Sequence, residues 1–387
     1  MLSEERPVPT RLRGWNRVIG QRRVKELLRR AIQTDQVAHA YLFIGPEGVG
    51  TDALALEFAR VLNCEPGGTE ACDQCASCRQ MDILQHSNVR LVMPLPVGKN
   101  EKQGDDPIEV LTDDQIASVR GAIAAKAKDP YASIEIPRAT SIKINSIRAI
   151  KREAALSRPE RGRNIFVILR AEEMGADASN SLLKTLEEPP GDTVLLLTTM
   201  DRDALLPTIV SRCQQIQCER LSDDDLEEAL TLRDGLEESL AHVVAQMAGG
   251  SYTAARDIVS SDVRSRRAEA VNFLRLVLGK QRIQMIQEVE RLASDNDRPA
   301  MERWLRLLGG WLRDALVLRE GRSVHAAAED LQALQSFTSR FSVADLSGAV
   351  LRVERAIADL DKNLYLLLIL TTLAMDLRRL IAEPGRE

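Results

Sequence analysis

The chain has 387 residues, of which 44% are hydrophobic and 28% charged, and its formal net charge is −5. This length predicts about two to three domains with a substantial core, and the acidic balance excludes a protein that coats nucleic acid over its whole surface. Aromatic residues make up only 3% of the chain, which argues against stacking platforms for single strands.

The first predicted elements are a strand, a glycine-rich turn and a helix. Apolar residues at helical spacing predict a helix within residues 18–40, and the apolar run Ala40–Ile44 predicts a strand. The turn at 45–50 reads GPEGVG, and a second helix is predicted over 52–62. This order is the context that a phosphate-binding loop requires, although a simple strand-to-helix turn would use similar residues.

The turn keeps the glycines of a phosphate loop but not its two reactive side chains. Gly45, Gly48 and Gly50 leave the backbone free to surround a phosphate. Thr51 and Asp52 stand where a lysine and a magnesium-binding Ser or Thr are expected. Unit charges about 4 Å apart repel by about 4 kcal/mol at an effective dielectric constant of ~20, so Asp52 should oppose a triphosphate. The sequence therefore predicts that ATP binds weakly or not at all.

Four cysteines after the second helix form the pattern C-x7-C-x2-C-x2-C, namely Cys64, Cys72, Cys75 and Cys78. Four thiolates predict a closed, tetrahedral zinc site with a structural role. An iron–sulfur cluster or redox thiols are an alternative, but Asp82 and Ile83 stand where a further cysteine and proline are expected. Unliganded cysteines are the third possibility. Cys213 and Cys218 are isolated and are interpreted as small buried hydrophobic residues.

Strands and helices alternate up to residue 218. The predicted strands are Val89–Met93, Ala132–Ile136, Ile165–Leu169 and Val194–Thr198, and the predicted helices begin near Thr112 or cover 145–156 and 176–187. Pro189 and Pro190 end the last of these helices. Buried strands flanked by helices predict an α/β fold with a parallel sheet.

The predicted strand at 165–169 lacks the two carboxylates that bind magnesium and position water in an ATPase. Leu169 and Arg170 occupy those positions, and Glu172 and Glu173 could replace them only in a shifted register. Two separate parts of the ATPase machinery are therefore missing. This combination predicts a chain that does not hydrolyse ATP.

After residue 218 only helices are predicted. Residues 222–262 form short helices interrupted by glycines, and residues from about 265 form long amphipathic helices. One representative apolar face consists of Trp304, Leu307, Leu308, Trp311, Leu312 and Ala315. The longest apolar run, Leu364–Met375, is shorter than the ~20 residues of a membrane-spanning helix. No apolar signal segment is present near residue 1, so a cytoplasmic protein with no membrane partner is expected. Metal ligands or buried thiols are then expected before disulfides.

Several motifs together resemble the bacterial clamp-loader family of AAA+ proteins. They are WNRVIGQ at 15–21, HAYLFIGPEGVG at 39–50, the four-cysteine module at 64–78, SNSLLKTLEEPP at 179–190 and LLPTIVSRC at 205–213. The resemblance implies a RecA-like AAA+ domain with a parallel sheet and a zinc insert at 1–218. The segment from about 95 to 141 is longer than in compact members of the family, so it is interpreted as an insertion without an assigned role. The resemblance further implies a small helical lid at 219–264 and an all-α collar at 265–387 that joins a hetero-oligomer.

Because it lacks these ATPase groups, the chain resembles the delta-prime type of subunit within this family, which typically lacks a functional ATP site. The resemblance implies that Arg212 acts as an arginine finger on ATP bound to a neighbouring subunit, although a lone arginine is more often solvated or paired within its own chain. It also places a sensor residue at Thr199, with Thr198 adjacent.

The resemblance implies gamma/tau and delta subunits as partners within the DNA polymerase III holoenzyme. The sliding clamp and primer–template DNA would be reached through that assembly during DNA replication. The alternatives are an active ATPase motor of the gamma/tau type and a zinc-bearing structural adaptor.

Overall fold

The computed structural model describes residues 12–98, 101–102, 104–156, 162–259, 263–294, 297–324, 326, 328–362 and 364–383. The described chain forms two compact units, which divide between Leu221 and Ser222. The first unit is an α/β domain, and the second consists of helices. The division of the second unit into a lid and a collar stays a prediction.

The α/β unit is built on one parallel five-stranded sheet. Its strands are β1 (Ala40–Ile44), β2 (Val89–Val92), β3 (Asn164–Ile168), β4 (Thr193–Thr199) and β5 (Gln214–Gln217). Their spatial order is β2-β3-β4-β1-β5. The three inner strands are buried along their whole length, because helices cover both faces of the sheet. The predicted α/β fold with a parallel sheet is confirmed.

Seven α-helices belong to the part of this unit that the structure describes. They are α1 (Arg22–Gln33), α2 (Thr51–Leu62), α3 (Ala76–Asp82), α4 (Asp113–Lys128), α5 (Ile144–Leu156), α6 (Ala176–Glu187) and α7 (Pro207–Val210). Leu182 of α6 lies in one core with Leu42 of β1, whereas Phe58 of α2 packs edge-on against Tyr41 at 5.1 Å between ring centroids. Neighbouring strand residues point to opposite faces. Helices α2 and α6 therefore cover opposite faces of the sheet.

Most of the predicted elements are present, but the strand predicted at Ala132–Ile136 is wrong. Residues 133–136 form neither a helix nor a strand. Ile134 and Ile136 are buried while Glu135 between them is exposed. This alternation imitates a half-buried strand, although the segment lies outside the sheet. Helix α4 begins where it was predicted, because Thr112 and Gln115 form a capping box.

The described residues of the second unit form helices only. They are α8 (Asp223–Asp234), α9 (Glu238–Ala248), α10 (Tyr252–Val259), α11 (Val263–Leu278), α12 (Arg282–Ser294), α13 (Arg298–Arg319), α14 (Ala328–Arg340), α15 (Leu346–Asp361) and α16 (Leu366–Ala382). Helix α13 lies at the centre and packs against α9, α11, α14 and α15. Its buried face contains all six residues predicted for it, from Trp304 to Ala315. None of the described helices combines the length and the apolar character that crossing a bilayer requires.

A buried polar network connects α9 with α11 and α13. Asp314, which is 4% exposed, accepts hydrogen bonds from Gln246 at 2.9 Å and from Arg267 at 3.2 Å. The ring of His242 lies between two carboxylates, with Nε2 3.1 Å from Asp314 and Nδ1 2.9 Å from Glu227. Both ring nitrogens can donate only when the imidazole is protonated. The network therefore favours a charged histidine inside the helical unit.

Candidate functional site

The loop between β1 and α2 has the backbone form of a phosphate loop. Gly45 donates to the Thr199 carbonyl at 3.1 Å, and a Cβ atom at Gly45 would lie 2.9 Å from the Val49 side chain. Gly48 and Gly50 have φ values of 78° and 101°, which favour glycine. The loop leads directly into the amino terminus of α2, where backbone amides attract anions.

The two side chains after the loop do not form the pair that ATP requires. Asp52, in the first turn of α2, lies 2.6 Å from Nζ of Lys126 on α4. The Lys126 side chain is 3% exposed and that of Asp52 is 25% exposed. The Asp52 carboxylate is therefore neutralised by a lysine of the same chain. The repulsion between Asp52 and a triphosphate that the sequence predicts did not take this lysine into account. Lys126 lies on the same helical stripe as buried Val119, and this is the signal by which it could have been found.

The strand that carries the acidic groups of an ATPase ends without them. The Leu169 amide still donates to Val92 at 2.9 Å, and its side chain is buried. Arg170 adopts a left-handed conformation with φ 57° and pairs with Glu173 in the turn that follows. Leu169 and Arg170 thus lie at the end of β3, as the interpretation of the sequence assumes.

The two glutamates after the strand have roles in the turn itself. Glu172 accepts a hydrogen bond from the Met200 amide at 3.3 Å. Burial raises the pKa of Glu173, while Arg170 opposes this shift and Glu172 adds to it. Neither glutamate continues the ladder of β3, which leaves Leu169 and Arg170 at the strand end.

The two threonines at the end of β4 have different surroundings. The Thr199 hydroxyl, on a residue that is 2% exposed, donates to the Asp201 carbonyl at 2.9 Å. Thr199 lies opposite Ile44 in the sheet, directly before the glycine loop. Thr198 instead accepts a hydrogen bond from the Arg170 amide at 3.2 Å. Thr199 is therefore the threonine whose backbone contacts the loop.

Arg212 lies on the surface just after α7, and its side chain is 37% exposed. Its guanidinium donates to the Thr208 carbonyl at 3.0 Å and to the Glu187 carboxylate at 2.7 Å. Glu187 ends α6, so the ion pair connects two motifs that are separate in the sequence. Because both side chains are exposed, such a pair contributes only about 0–1 kcal/mol to stability. Little free energy therefore opposes the transfer of Arg212 to another anion.

The four cysteines of the predicted metal site come together, and their sulfur atoms all lie within 4.8 Å of one another. Cys64 follows α2, Cys75 caps α3, and Cys78 lies inside α3. Cys78 Sγ is 3.8 Å from Cys64 Sγ and 4.0 Å from Cys72 Sγ. Four sulfurs at ~2.3 Å from a central zinc are about 3.8 Å apart in a tetrahedron. This cluster can hold a metal ion, and all six cysteines are free of disulfides.

Backbone amides and charged groups support the cluster. The amides of Cys72, Cys75 and Cys78 each point to the sulfur of another cysteine, at 3.2 to 3.4 Å. Asp73 fixes the loop by accepting from the Gly14 amide at 2.9 Å and from Arg17 at 2.6 Å. Hydrogen bonds from amides stabilise thiolate ligands. The arrangement can hold a metal ion, as four scattered thiols could not.

Cys213 and Cys218 lie outside this cluster. Both are buried, and burial raises the pKa of each thiol to about 12. A thiol with such a pKa stays protonated and unreactive. Their environment agrees with the interpretation as small buried hydrophobic residues.

The chain is similar to proteins of a known family, and the family model covers most of its α/β unit. The family model "DNA polymerase III, delta subunit" matches residues 20–222. DNA polymerase III subunit delta' of Bacillus subtilis is 28% identical over 65% of this chain and 64% of the relative. The delta' subunit of Pseudomonas aeruginosa is 32% identical over 64% of this chain and 63% of the relative. Each alignment thus spans a little under two thirds of the curated relative.

Among solved structures, one similar fold is that of the Thermotoga maritima RuvB Holliday junction branch migration motor. The TM-score is 0.38 and the identity 15%, over 65% of this chain and 63% of the RuvB chain. The family model, in contrast, covers more than half of the chain. The chain therefore belongs to the DNA polymerase III delta subunit family, and two of its relatives are delta' subunits of that polymerase.

Proposed function

We propose that this chain is the non-hydrolysing subunit of a clamp loader and that Arg212 completes an ATP site on a neighbouring subunit. The observation that carries the proposal is a contrast within one domain. Arg212 is exposed and already oriented by Glu187, whereas the chain's own loop lacks the lysine and faces the Asp52–Lys126 pair. A chain built in this way can serve ATP that it does not itself bind.

The chemistry expected of Arg212 is electrostatic. In phosphoryl transfer, negative charge is spread over the oxygens of the γ-phosphate. An arginine supplied by a neighbour stabilises this charge and raises the rate by a factor of about 10³–10⁵. The planar guanidinium can contact two phosphate oxygens at once. With this residue the chain would complete a ring of gamma/tau and delta subunits in the cytoplasm. That assembly would open the sliding clamp and place it on primer–template DNA.

We further propose zinc as the metal of the cysteine cluster. Four protein sulfurs leave no open coordination position, which supports a structural rather than a catalytic metal. When bound, zinc would cross-link the loop after α2 to α3. The spacing of the sulfurs and the amides that point to them support this assignment.

Residues 219–264 are proposed as the lid and residues 265–387 as the collar. An exposed apolar stripe on α16 supports the role of the collar in assembly. Tyr365, just before α16, is 74% exposed, and Leu368 and Met375 are 61% and 63% exposed. Exposed apolar side chains at helical spacing are typical of a surface that packs against another helix.

The proposal is tested by reconstituting the full chain with gamma/tau and delta partners and measuring single-turnover ATP hydrolysis in the presence of clamp and primed DNA. Arg212→Ala should remove the hydrolysis phase of the one site that Arg212 faces. The matched control is Arg202→Ala, because Arg202 is also exposed and makes a local ion pair with Asp203. Equal traces for the two variants would refute the finger and leave a structural adaptor. Tight binding of ATP by the isolated chain would instead support an ATPase motor.

A further inference from the structure

The insertion predicted at about 95–141 returns to the glycine loop. Helix α4 belongs to this insertion, and its last turn together with residues 129–136 lies against the loop between β1 and α2. Three side chains make the contact: Lys126, Tyr131 and Ser133. The arginine finger proposed above does not act through any of them.

Tyr131 covers the end of the loop. Its hydroxyl accepts a hydrogen bond from the Ile19 amide at 2.8 Å, and the residue is 5% exposed. A Cβ atom built on Gly50 would lie only 2.6 Å from this hydroxyl and 3.2 Å from the ring carbon that bears it. The aromatic ring therefore occupies the space above the last glycine of the loop.

Lys126 neutralises the start of α2. Its Nζ atom lies 2.6 Å from Asp52 and donates to the Ala132 carbonyl at 2.9 Å. A carboxylate in the first turn of a helix interacts favourably with the positive end of the helix dipole. Asp52 thus supplies the negative charge that a phosphate would bring, and Lys126 supplies the cation that would balance it.

The contact extends to the middle of the loop and is held by buried residues. Ser133 donates to the Glu47 carboxylate at 3.3 Å. Ile134 and Ile136, which follow it, are each 7% exposed and anchor the segment. The turn after α4 is fixed by the Asp129 side chain, which accepts from the Tyr131 amide at 3.0 Å. These contacts hold the segment against the loop.

We propose that this segment is a built-in substitute for nucleotide, which occupies the glycine loop and holds it in one conformation whether or not ATP is present. In a phosphate loop the backbone amides, the lysine and the first turn of the helix all contact the ligand. Here the ring of Tyr131 and the Asp52–Lys126 pair take those places. The insertion thereby keeps the region around the loop ordered without a ligand.

Hydrogen exchange of the full chain tests the stabilising part of the proposal. Tyr131→Ala and Lys126→Ala should each raise the exchange rates of the amides at 48–54 at least tenfold, with little change in β4. Lys128→Ala is the matched control, because Lys128 is exposed in the same last turn of α4. Unchanged exchange at 48–54 in Tyr131→Ala overturns the proposal.

Binding of inorganic tripolyphosphate, measured by calorimetry, tests the occupying part. The single variant Asp52→Ser removes the carboxylate but keeps the insertion in place. The double variant Asp52→Ser, Tyr131→Ala, which keeps the Lys126 cation, should bind tripolyphosphate at least tenfold more tightly than the single variant. Equal affinity, or binding by neither, overturns the proposal. Neither measurement involves Arg212 or a partner, so the outcome is independent of the finger.

Discussion

The buried network around Asp314 allows a prediction about the stability of the helical unit. Asp314 accepts hydrogen bonds from Gln246 and Arg267 and faces His242. Breaking a buried ion pair costs about 3–5 kcal/mol. Asp314→Asn keeps an oxygen acceptor, and Arg267 keeps Asp330 at 3.1 Å as its other partner. We therefore expect the free energy of unfolding to fall by about 2–3 kcal/mol.

The same variant should change how stability depends on pH. Burial disfavours the charged ring of His242, but the carboxylates of Asp314 and Glu227 outweigh it and raise the pKa of His242 above its ordinary value of 6.5. A raised pKa in the folded state contributes stability that is complete below about pH 6.5 and is lost as the pH rises through the folded pKa. The difference in unfolding free energy between native chain and variant should therefore be larger at pH 6 than at pH 8.5.

The measurement is urea unfolding followed by tryptophan fluorescence. Of the three tryptophans, Trp304 and Trp311 lie in α13 and Trp15 lies in the α/β unit, so a Trp15→Phe background reports on the helical unit. Glu302→Gln is the control, since Glu302 is an exposed carboxylate on the same helix that pairs with Arg306. A loss below about 1 kcal/mol for Asp314→Asn would contradict the cost expected for a buried pair. So would identical pH profiles for native chain and variant.

Four further predictions concern the metal site, the surface arginine and the apolar stripe. Cys78→Ser should reduce the zinc content from one equivalent to well below one and increase proteolysis near α3, whereas Cys213→Ser, outside the cluster, should leave the metal content unchanged. Burial raises the pKa of Cys64 to about 11, so zinc must displace its proton. The affinity for zinc, measured by chelator competition, should therefore fall as the pH falls. A pH-independent affinity would argue against thiolate ligation. Glu187→Gln should change the unfolding free energy by less than about 1 kcal/mol. It should nevertheless slow single-turnover ATP hydrolysis in the assembly, because Arg212 loses the carboxylate that orients it. Unaltered turnover would mean that Glu187 has no positioning role. Leu368→Asp should prevent assembly with gamma/tau and delta in size-exclusion chromatography while leaving the circular dichroism of the isolated chain native; normal assembly would exclude this stripe from the interface.

The sequence predicted the elements whose signals are local. Helix α6 has the predicted bounds, because Pro189 and Pro190 cannot continue it. The glycine loop and the four cysteines were visible from spacing alone, since each group lies within a short segment. The buried face of α13 followed from its periodic apolar residues.

The contacts that sequence reasoning missed join residues far apart in the chain. Asp52 and Lys126 are 74 positions apart, and His242 and Asp314 are 72 positions apart. Aspartate and lysine usually lie in solvent, and histidine is intermediate. Only the fold brings such partners together, so spacing within a motif could not reveal them. The strand predicted at Ala132–Ile136 failed for a related reason, because its alternation reflects contact with the unit's interior instead of with a neighbouring strand.

The position of the insertion in the chain has a consequence for chain entropy. Strands β2 and β3 are neighbours in the sheet, and the insertion lies in the connection between them. The entropy of closing a flexible connection grows only with the logarithm of its length, so each doubling costs about 0.6 kcal/mol. One hydrogen bond such as that between Tyr131 and the Ile19 amide contributes about 1 kcal/mol, which offsets that cost. The connection between β2 and β3 is therefore a place where this fold can gain a whole helix with little loss of stability in the sheet.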